Sequence, residues 1–448
     1  MGLGHFSGGV ETVRWLAARG ADVTLTDLKG PTELGPSLAE IAGLPVRLAL
    51  GRHDEEDFRR ADLVVASPAV PPENRFLCLA ADAGVPLMTE LSLTMRLLEG
   101  RIVWVTGTCG KSTTTALLGA ILSASGVPCR VGGNIGRALL NEAERTTPEE
   151  TIVLEVSSFQ LEWMARDGVR PDYAVVTNVT PNHLDRHGTF EAYLEAKAAA
   201  LPAPGPAVLN LDDPACRDRL APRCPGPVHL VSALREPDRG AFLRGGDAVL
   251  RSEGGEEILF SLEDLALLGD FNRLNALEAA LAARLLGASA AAVAPALRAF
   301  RSLPHRLEDL GARRGVRGID DSKATTPEAS ERALRALEVG IVLIAGGFER
   351  GGDLSSFAAA IRERVRGLVL LGASAERLSA AVGGDLPRVR VETIEEAVAA
   401  GLSLARPGDV LLLSPGHASW DMFESYEERG DRFRRAFLAS PPAGSLPG

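Results

Sequence analysis

Short, unbroken apolar runs recur along the chain at Val23–Thr26, Leu63–Ala66, Ile102–Thr106, Ile152–Val156, Ala174–Thr177, Val208–Leu211, Ile341–Ala345, Leu368–Leu371 and Val410–Leu413. They are rich in Val, Ile and Leu and do not alternate with polar residues, which predicts strands buried on both faces, as in parallel sheets. Between them lie stretches rich in Ala, Leu, Arg and Glu, such as Val10–Arg19, Ser112–Ser125, Asn272–Leu286 and Ile394–Leu404. These read as helices, and the alternation predicts doubly wound α/β domains with ligands at the carboxyl ends of the strands. Breaks at Leu98-Glu99-Gly100-Arg101 and Ser302-Leu303-Pro304 predict three domains, 1–99, 100–301 and 302–448. The stretch Pro202–Glu263, rich in Pro and Gly, reads as a small antiparallel or irregular insert. At the start, Gly2-Leu3-Gly4 has the form of a loop that follows a first strand, yet only Met1 precedes it. The expectation is that the first strand is missing or that the domain begins unusually.

Composition narrows the picture. With 448 residues the chain is long enough for about three domains. At 46% hydrophobic and 24% charged it can bury several cores. A net charge of −11 argues against a protein that coats nucleic acid or anionic lipid. No apolar run approaches the roughly 18 residues that cross a bilayer, and no secretory signal pattern opens the chain, so a cytoplasmic protein is expected. Cys78, Cys109, Cys129, Cys216 and Cys224 are scattered and odd in number, which disfavours a disulfide framework or zinc knuckle.

Of the 48 basic residues only Lys29, Lys111, Lys197 and Lys323 are lysines; the other 44 are arginines. Where arginine has replaced lysine at nearly every site needing a generic cation, the retained amines become informative, because an amine is compact, shifts its pKa and can act as a nucleophile. Lys111 lies in Gly107-Thr108-Cys109-Gly110-Lys111-Ser112-Thr113, between a predicted strand and a predicted helix. That is the context of a nucleotide phosphate loop. The glycines let backbone N–H groups turn toward phosphate, the helix start adds its dipole, Lys111 offsets phosphate charge, and Ser112 can ligate Mg²⁺. Glu155 ends the next strand and is placed to hold a metal. His183 follows a further strand end, in the expected ligand crevice. Lys197, on a predicted helix, suggests a reaction of the amine itself, with carbamylation by CO₂ one candidate, since a carbamate would offer oxygen to Mg²⁺.

Taken in order, GTCGKST, EVSSFQLE, TNVTPNHLDRH and YLEAK resemble the Mur ligases, the ATP-dependent enzymes that build the peptidoglycan stem peptide. Gly133-Asn134-Ile135-Gly136, Asn272-Arg273-Leu274-Asn275-Ala276, Leu303-Pro304-His305-Arg306, Asp321-Ser322-Lys323-Ala324-Thr325 and the segment from Leu413 to Phe423 extend the match over nearly the whole chain. The Asp321–Thr325 segment is similar to that of the D-glutamate-adding members. The resemblance implies a Rossmann-like N-terminal domain for UDP, a central P-loop ATPase-like parallel-sheet domain and a C-terminal Rossmann-like α/β domain for the amino acid. It implies ligation of D-glutamate to UDP-N-acetylmuramoyl-L-alanine through an acyl phosphate, by a monomer using ATP and two Mg²⁺.

Residue by residue, the resemblance implies that Lys111, Glu155, His183 and Lys197 are catalytic. Ser112, Glu155, His183 and carbamylated Lys197 would hold metal. ATP would meet Gly107–Thr113, Asn272, Asn275, Arg306 and Asp321. Asp27, Asn134, Ser157 and His183 would bind the muramoyl substrate, and Lys323, Thr325, Arg350, Ser419 and Tyr426 the D-glutamate. Three positions depart from the pattern: Cys109 replaces an asparagine, Phe271 a histidine and Arg350 a lysine. The near alternatives are another stem-peptide ligase or a folylpolyglutamate synthase-like ligase, separated by acceptor amino acid and UDP dependence. A GTP-type switch would hydrolyse nucleotide without an acceptor. A nicotinamide oxidoreductase would need a glycine at position 7, where Ser7 stands.

Overall fold

The computed structural model describes residues 1–3, 7–134, 138–338, 340–349 and 351–440. Gly4, Ile135, Gly136 and Arg350 lie outside the described residues. The chain divides into two compact units, one of residues 1–265 with 273–299 and one of 266–272 with 300–448.

The first unit is organised by a nine-stranded sheet. Its middle is the apolar run at Arg101–Thr106, in which every residue after Arg101 is buried. Thr151–Glu155 and Tyr173–Val176 flank it in parallel register, and Cys129–Gly133 lies outside Thr151–Glu155. The chain thus winds first to one side of the central strand and then crosses to the other, which opens a crevice at the carboxyl ends where the two directions part. The stretch read as a separate insert instead extends this sheet. Ala207–Asn210, Val228–Ser232 and Gly240–Arg244 continue it in parallel, and only Asp247–Ser252 and Gly255–Ser261 close it as antiparallel strands. The misreading has a physical cause: Pro and Gly mark the turns, while the strands between them are too short to show a period.

Residues 1–99 form two small parallel pairs, Val23–Asp27 with Val46–Leu50 and Val64–Val65 with Leu87–Met88. The backbone of the first residues lies between the pairs. Met1 N donates to Val65 O (2.8 Å), Ser67 N donates to Met1 O (2.9 Å), and Gly2 N donates to Thr26 O (2.8 Å). One apolar cluster runs from Phe58, Leu77 and Leu91 into Trp104, Leu154 and Trp163 of the main sheet and its cover, all at 2% exposure or less. Burying such side chains stabilises by about 1.5–3 kcal/mol each.

The second unit carries a six-stranded sheet in which Val316–Asp320, Val410–Leu413, Ile341–Ala345, Val365–Leu370 and Arg388–Arg390 run parallel and Glu308–Arg313 pairs antiparallel on one edge. Its two faces are covered by separate apolar clusters, one around Phe357 and Leu378 and one around Phe433 and Phe437. Gly318 has no side chain because Phe437 occupies the space: an added Cβ would meet ring atoms at 2.5–2.7 Å. Gly318→Ala is expected to destabilise the second unit by about 1–3 kcal/mol, measured as a lowered urea midpoint, while the first unit's transition stays put.

Candidate functional site

The phosphate loop is held by the neighbouring strand end. Thr108 N donates to Asn178 O (2.8 Å), Cys109 N donates to Asn178 Oδ1 (3.0 Å), and Asn178 Nδ2 donates to Cys109 O (3.0 Å). Thr180 N donates to Thr108 Oγ1 (3.0 Å), which also meets the Tyr193 hydroxyl at 3.0 Å. Two glycines are required by position as well as by conformation. Gly107 (φ 142°) has no room for a Cβ beside Thr177 Oγ1, and Gly110 (φ 87°) has none beside Asn275 Oδ1. Lys111 opens the 14-residue helix Lys111–Ala124, so its backbone N–H end faces the loop. Ser112 is buried on the first turn, next to Thr113. Cys109, the departure from the family's asparagine, contributes backbone groups to this lattice.

Lys111 Nζ donates to Gly107 O (3.0 Å) and Thr108 O (2.9 Å). Lys197, on the helix Phe190–Ala198, is 1% exposed, and its Nζ donates to Thr106 Oγ1 and Gly107 O, both at 2.9 Å. Burial pushes the Lys197 pKa well below its ordinary value; Lys111 pushes the same way, and Glu155 and Cys109 oppose. Tyr193, one turn earlier, places its ring 5.4 Å from the Lys197 amine. Glu155 is 2% exposed at the end of Thr151–Glu155. Its Oε1 accepts from Asn134 Nδ2 (3.0 Å), while Oε2 is buried with no hydrogen-bond partner. A buried carboxylate oxygen left unpaired at a strand end is a hard oxygen donor of the kind a divalent cation binds. His183 sits at φ 52° ahead of the short helix Leu184–His187, within electrostatic reach of Lys111 and Lys197. Lys111, Glu155, His183 and Lys197 therefore share one locality.

Ser157 caps Ser158–Arg166 in a capping box with Gln160. His187 was passed over as a site residue. Its ring nitrogens meet Ser158 Oγ and Glu162 Oε1, each at 3.0 Å, and its ring lies 5.7 Å from that of Phe159, which also flanks His183 at 5.0 Å. Its spacing of four from His183 was the signal available. Asn275 packs by Thr114, with Oδ1 3.4 Å from Thr114 Oγ1. Asn272 turns back on its own helix start, donating to Leu268 O (2.6 Å). In residues 1–99, Asp27 accepts from Leu3 N (2.8 Å) and Lys29 N (2.9 Å), and His53 meets Thr26 Oγ1 at 2.6 Å.

The second unit gathers its own group. Asp321 accepts from Leu307 N (3.2 Å) and Ser414 Oγ (2.8 Å), and burial pushes its pKa up to about 7 against those bonds and the Arg306 charge. His305 stands at φ 61° beside Asp320 (2.8 Å). Burial opposes the imidazolium, but the Asp320 carboxylate outweighs it, so the His305 pKa lies above its usual value. Lys323 Nζ lies 5.1 Å from the Tyr426 ring centroid, and Ser322 Oγ donates to Tyr426 O (2.8 Å). Gly416 N donates to Ala324 O (3.0 Å), which brings the segment of Ser419 beside that of Thr325. The fastener is Arg429, 1% exposed, which donates to Ser322 Oγ (3.0 Å), Ser322 O (2.8 Å) and His417 O (3.1 Å). Burial lowers its pKa to about 10. One arginine among 44 gave no sequence signal.

Three family models match in register with these features: the Mur ligase MurD-like N-terminal domain at 1–89, the Mur ligase middle domain at 105–283 and the Mur ligase glutamate ligase domain at 305–417. The UDP-N-acetylmuramoylalanine–D-glutamate ligase of Geobacter metallireducens is 43% identical over 434 residues, 96% of this chain and 95% of that one. The enzyme of the same name from a Roseiflexus species is 41% identical over 450 residues, 97% of each chain. Among solved structures, the UDP-N-acetylmuramate–alanine ligase MurC of Thermotoga maritima aligns with a TM-score of 0.62 at 20% identity, covering 96% of this chain and 97% of that one. A pseudomurein peptide ligase type C from Methanothermus fervidus aligns at 0.60 and 20% identity over 97% of both, so the fold is shared well beyond the sequence. With three matched domains along its length and relatives above 40% identity over nearly all of it, the chain belongs to the Mur ligase family.

Proposed function

We propose that this chain is an ATP-dependent ligase that joins D-glutamate to UDP-N-acetylmuramoyl-L-alanine, a monomer acting in the cytoplasm at an early step of peptidoglycan precursor synthesis. The observation that carries this reading is the meeting of Lys111, Glu155, His183 and Lys197 at the carboxyl ends of adjacent strands. The names of the relatives supply the substrates, and the domain order supplies where each would bind.

The chemistry brings a substrate carboxylate against a triphosphate, two anions that repel until cations stand between them. Lys111 and the helix start behind the phosphate loop offset part of that charge. Magnesium, when bound, supplies the rest by screening phosphate and carboxylate oxygens; Ser112 and Glu155 would hold one ion, and His183, Lys197 as a carbamate and Glu155 the other. The carbamate forms when the Lys197 ammonium gives up a proton and the resulting neutral amine adds to CO₂: an N–C bond forms, a second proton leaves to solvent, and over the two steps a cation becomes an anion. A depressed amine pKa favours this step, because only the free base is nucleophilic. Asn134, Ser157 and His183 would orient the muramoyl-alanine carboxylate to take the terminal phosphoryl group of ATP, giving an acyl phosphate. The D-glutamate amine would attack its carbonyl carbon, a tetrahedral intermediate would form, and inorganic phosphate would leave. Lys323, Thr325, Arg350, Ser419 and Tyr426 would hold the D-glutamate carboxylates. Asn272, Asn275, Arg306 and Asp321 would hold ATP, and Asp27 the UDP end.

Phosphate release measured with ATP, UDP-N-acetylmuramoyl-L-alanine and D-glutamate, omitting each in turn, is expected to require all three; release that persists without D-glutamate, or with a different amino acid in its place, would overturn the assignment. Lys197→Arg is expected to abolish turnover, with added bicarbonate failing to restore it. Turnover in that variant would remove the carbamate from the mechanism.

A further inference from the structure

Glu278 takes no part in the roles above, yet it touches Thr114 on the helix that the phosphate loop opens. It lies on the helix Phe271–Leu285, one turn after Asn275, and is 1% exposed. Its Oε2 is 3.2 Å from Thr114 Oγ1, while its Oε1 is buried with no hydrogen-bond partner. Thr114 Oγ1 has a single proton and a second acceptor in reach, Asn275 Oδ1 at 3.4 Å. That same Asn275 oxygen is the atom nearest the missing Cβ of Gly110. Glu278, Thr114 and Asn275 thus form a file ending on a phosphate-loop glycine.

The direction of the hydrogen bonds along this file depends on whether Glu278 carries a proton. As a carboxylate it would draw the Thr114 proton to itself, leaving Thr114 nothing to give Asn275, and would place an unpaired charge in the interior. As a neutral acid it donates to Thr114 Oγ1, and Thr114 donates to Asn275 Oδ1. We propose that Glu278 is a positioning residue: as a neutral acid it donates through Thr114 to Asn275 and so fixes the Asn275 amide for the nucleotide. This rests on the ATP-dependent reading of the site. The titratable groups facing Glu278 are Asp213, which follows the strand Ala207–Asn210, and Cys216 on the turn after it. Neither supplies a cation. Burial, reinforced by Asp213 and opposed by the Thr114 hydroxyl, pushes the Glu278 pKa up to about 8. The arrangement is therefore present at neutral pH and lost as pH rises through that value.

The test is kcat and KM for ATP on the full-length protein from about pH 6.5 to about pH 9.5, with the dissociation constant of ATP measured by calorimetry on the same samples. The KM of the unsubstituted protein is expected to rise about fivefold across the alkaline limb, with kcat changing less. Glu278→Gln, whose amide donates at every pH, is expected to rescue the neutral value and flatten the rise. Glu278→Leu and Thr114→Val are expected to hold the raised KM throughout. An alkaline rise in Glu278→Gln equal to that of the unsubstituted protein would overturn the proposal, as would a neutral-pH KM for Thr114→Val equal to the unsubstituted one. Should Glu278→Leu fail to fold, Thr114→Val decides. Loss of the D-glutamate requirement would sink the ligase reading alone, because the calorimetric constants read the file of residues independently.

Discussion

Two lysine amines donate to one carbonyl oxygen, that of Gly107, and most of the site's logic descends from this crowding. At such separations two ammonium groups repel strongly wherever water is thin. Lys111 sits at the loop, partly in contact with solvent; Lys197 is enclosed. Burial and the neighbouring Lys111 both weaken the hold of the enclosed amine on its proton, while Thr106 Oγ1 and the Tyr193 ring face act on the side of the charged form. In the proposed mechanism a buried lysine can serve as an oxygen ligand only after its positive charge has been removed, and its surroundings on balance act in that direction.

The surrounding carboxyl groups obey a common rule. Glu155 and Glu278 are each buried with one oxygen unpaired. Their difference lies in their neighbours. Glu155 faces Lys197 and Asn134 and is suited to a cation. Glu278 faces Asp213 and a thiol, which favours the proton. Identical side chains are thus given opposite electrostatic surroundings by the residues about them.

Much of this was legible in the sequence, and for identifiable reasons. Continuous apolar runs gave the buried strands, and the strand–glycine–Lys–Ser–helix order gave the loop. The arginine bias made Lys111, Lys197 and Lys323 stand out. What stayed hidden depended on contacts far apart in sequence. Arg429 reaches residues 107 positions away. Glu278 reaches Thr114 across 164 positions. Neither has a local pattern to betray it. The Pro- and Gly-rich stretch was misread as an insert because turn residues dominate its composition, although its strands continue the main sheet.

The apolar cluster that runs from Leu77 and Leu91 into Trp104 and Trp163 joins residues on both sides of position 100 in one core, so swinging the chain about that point would bring buried apolar surface into water. The strand that carries Asp27 belongs to a different apolar cluster, built on Leu3, Val10, Leu25 and Leu34, so the tie across position 100 is made by the second half of residues 1–99 and not by the first.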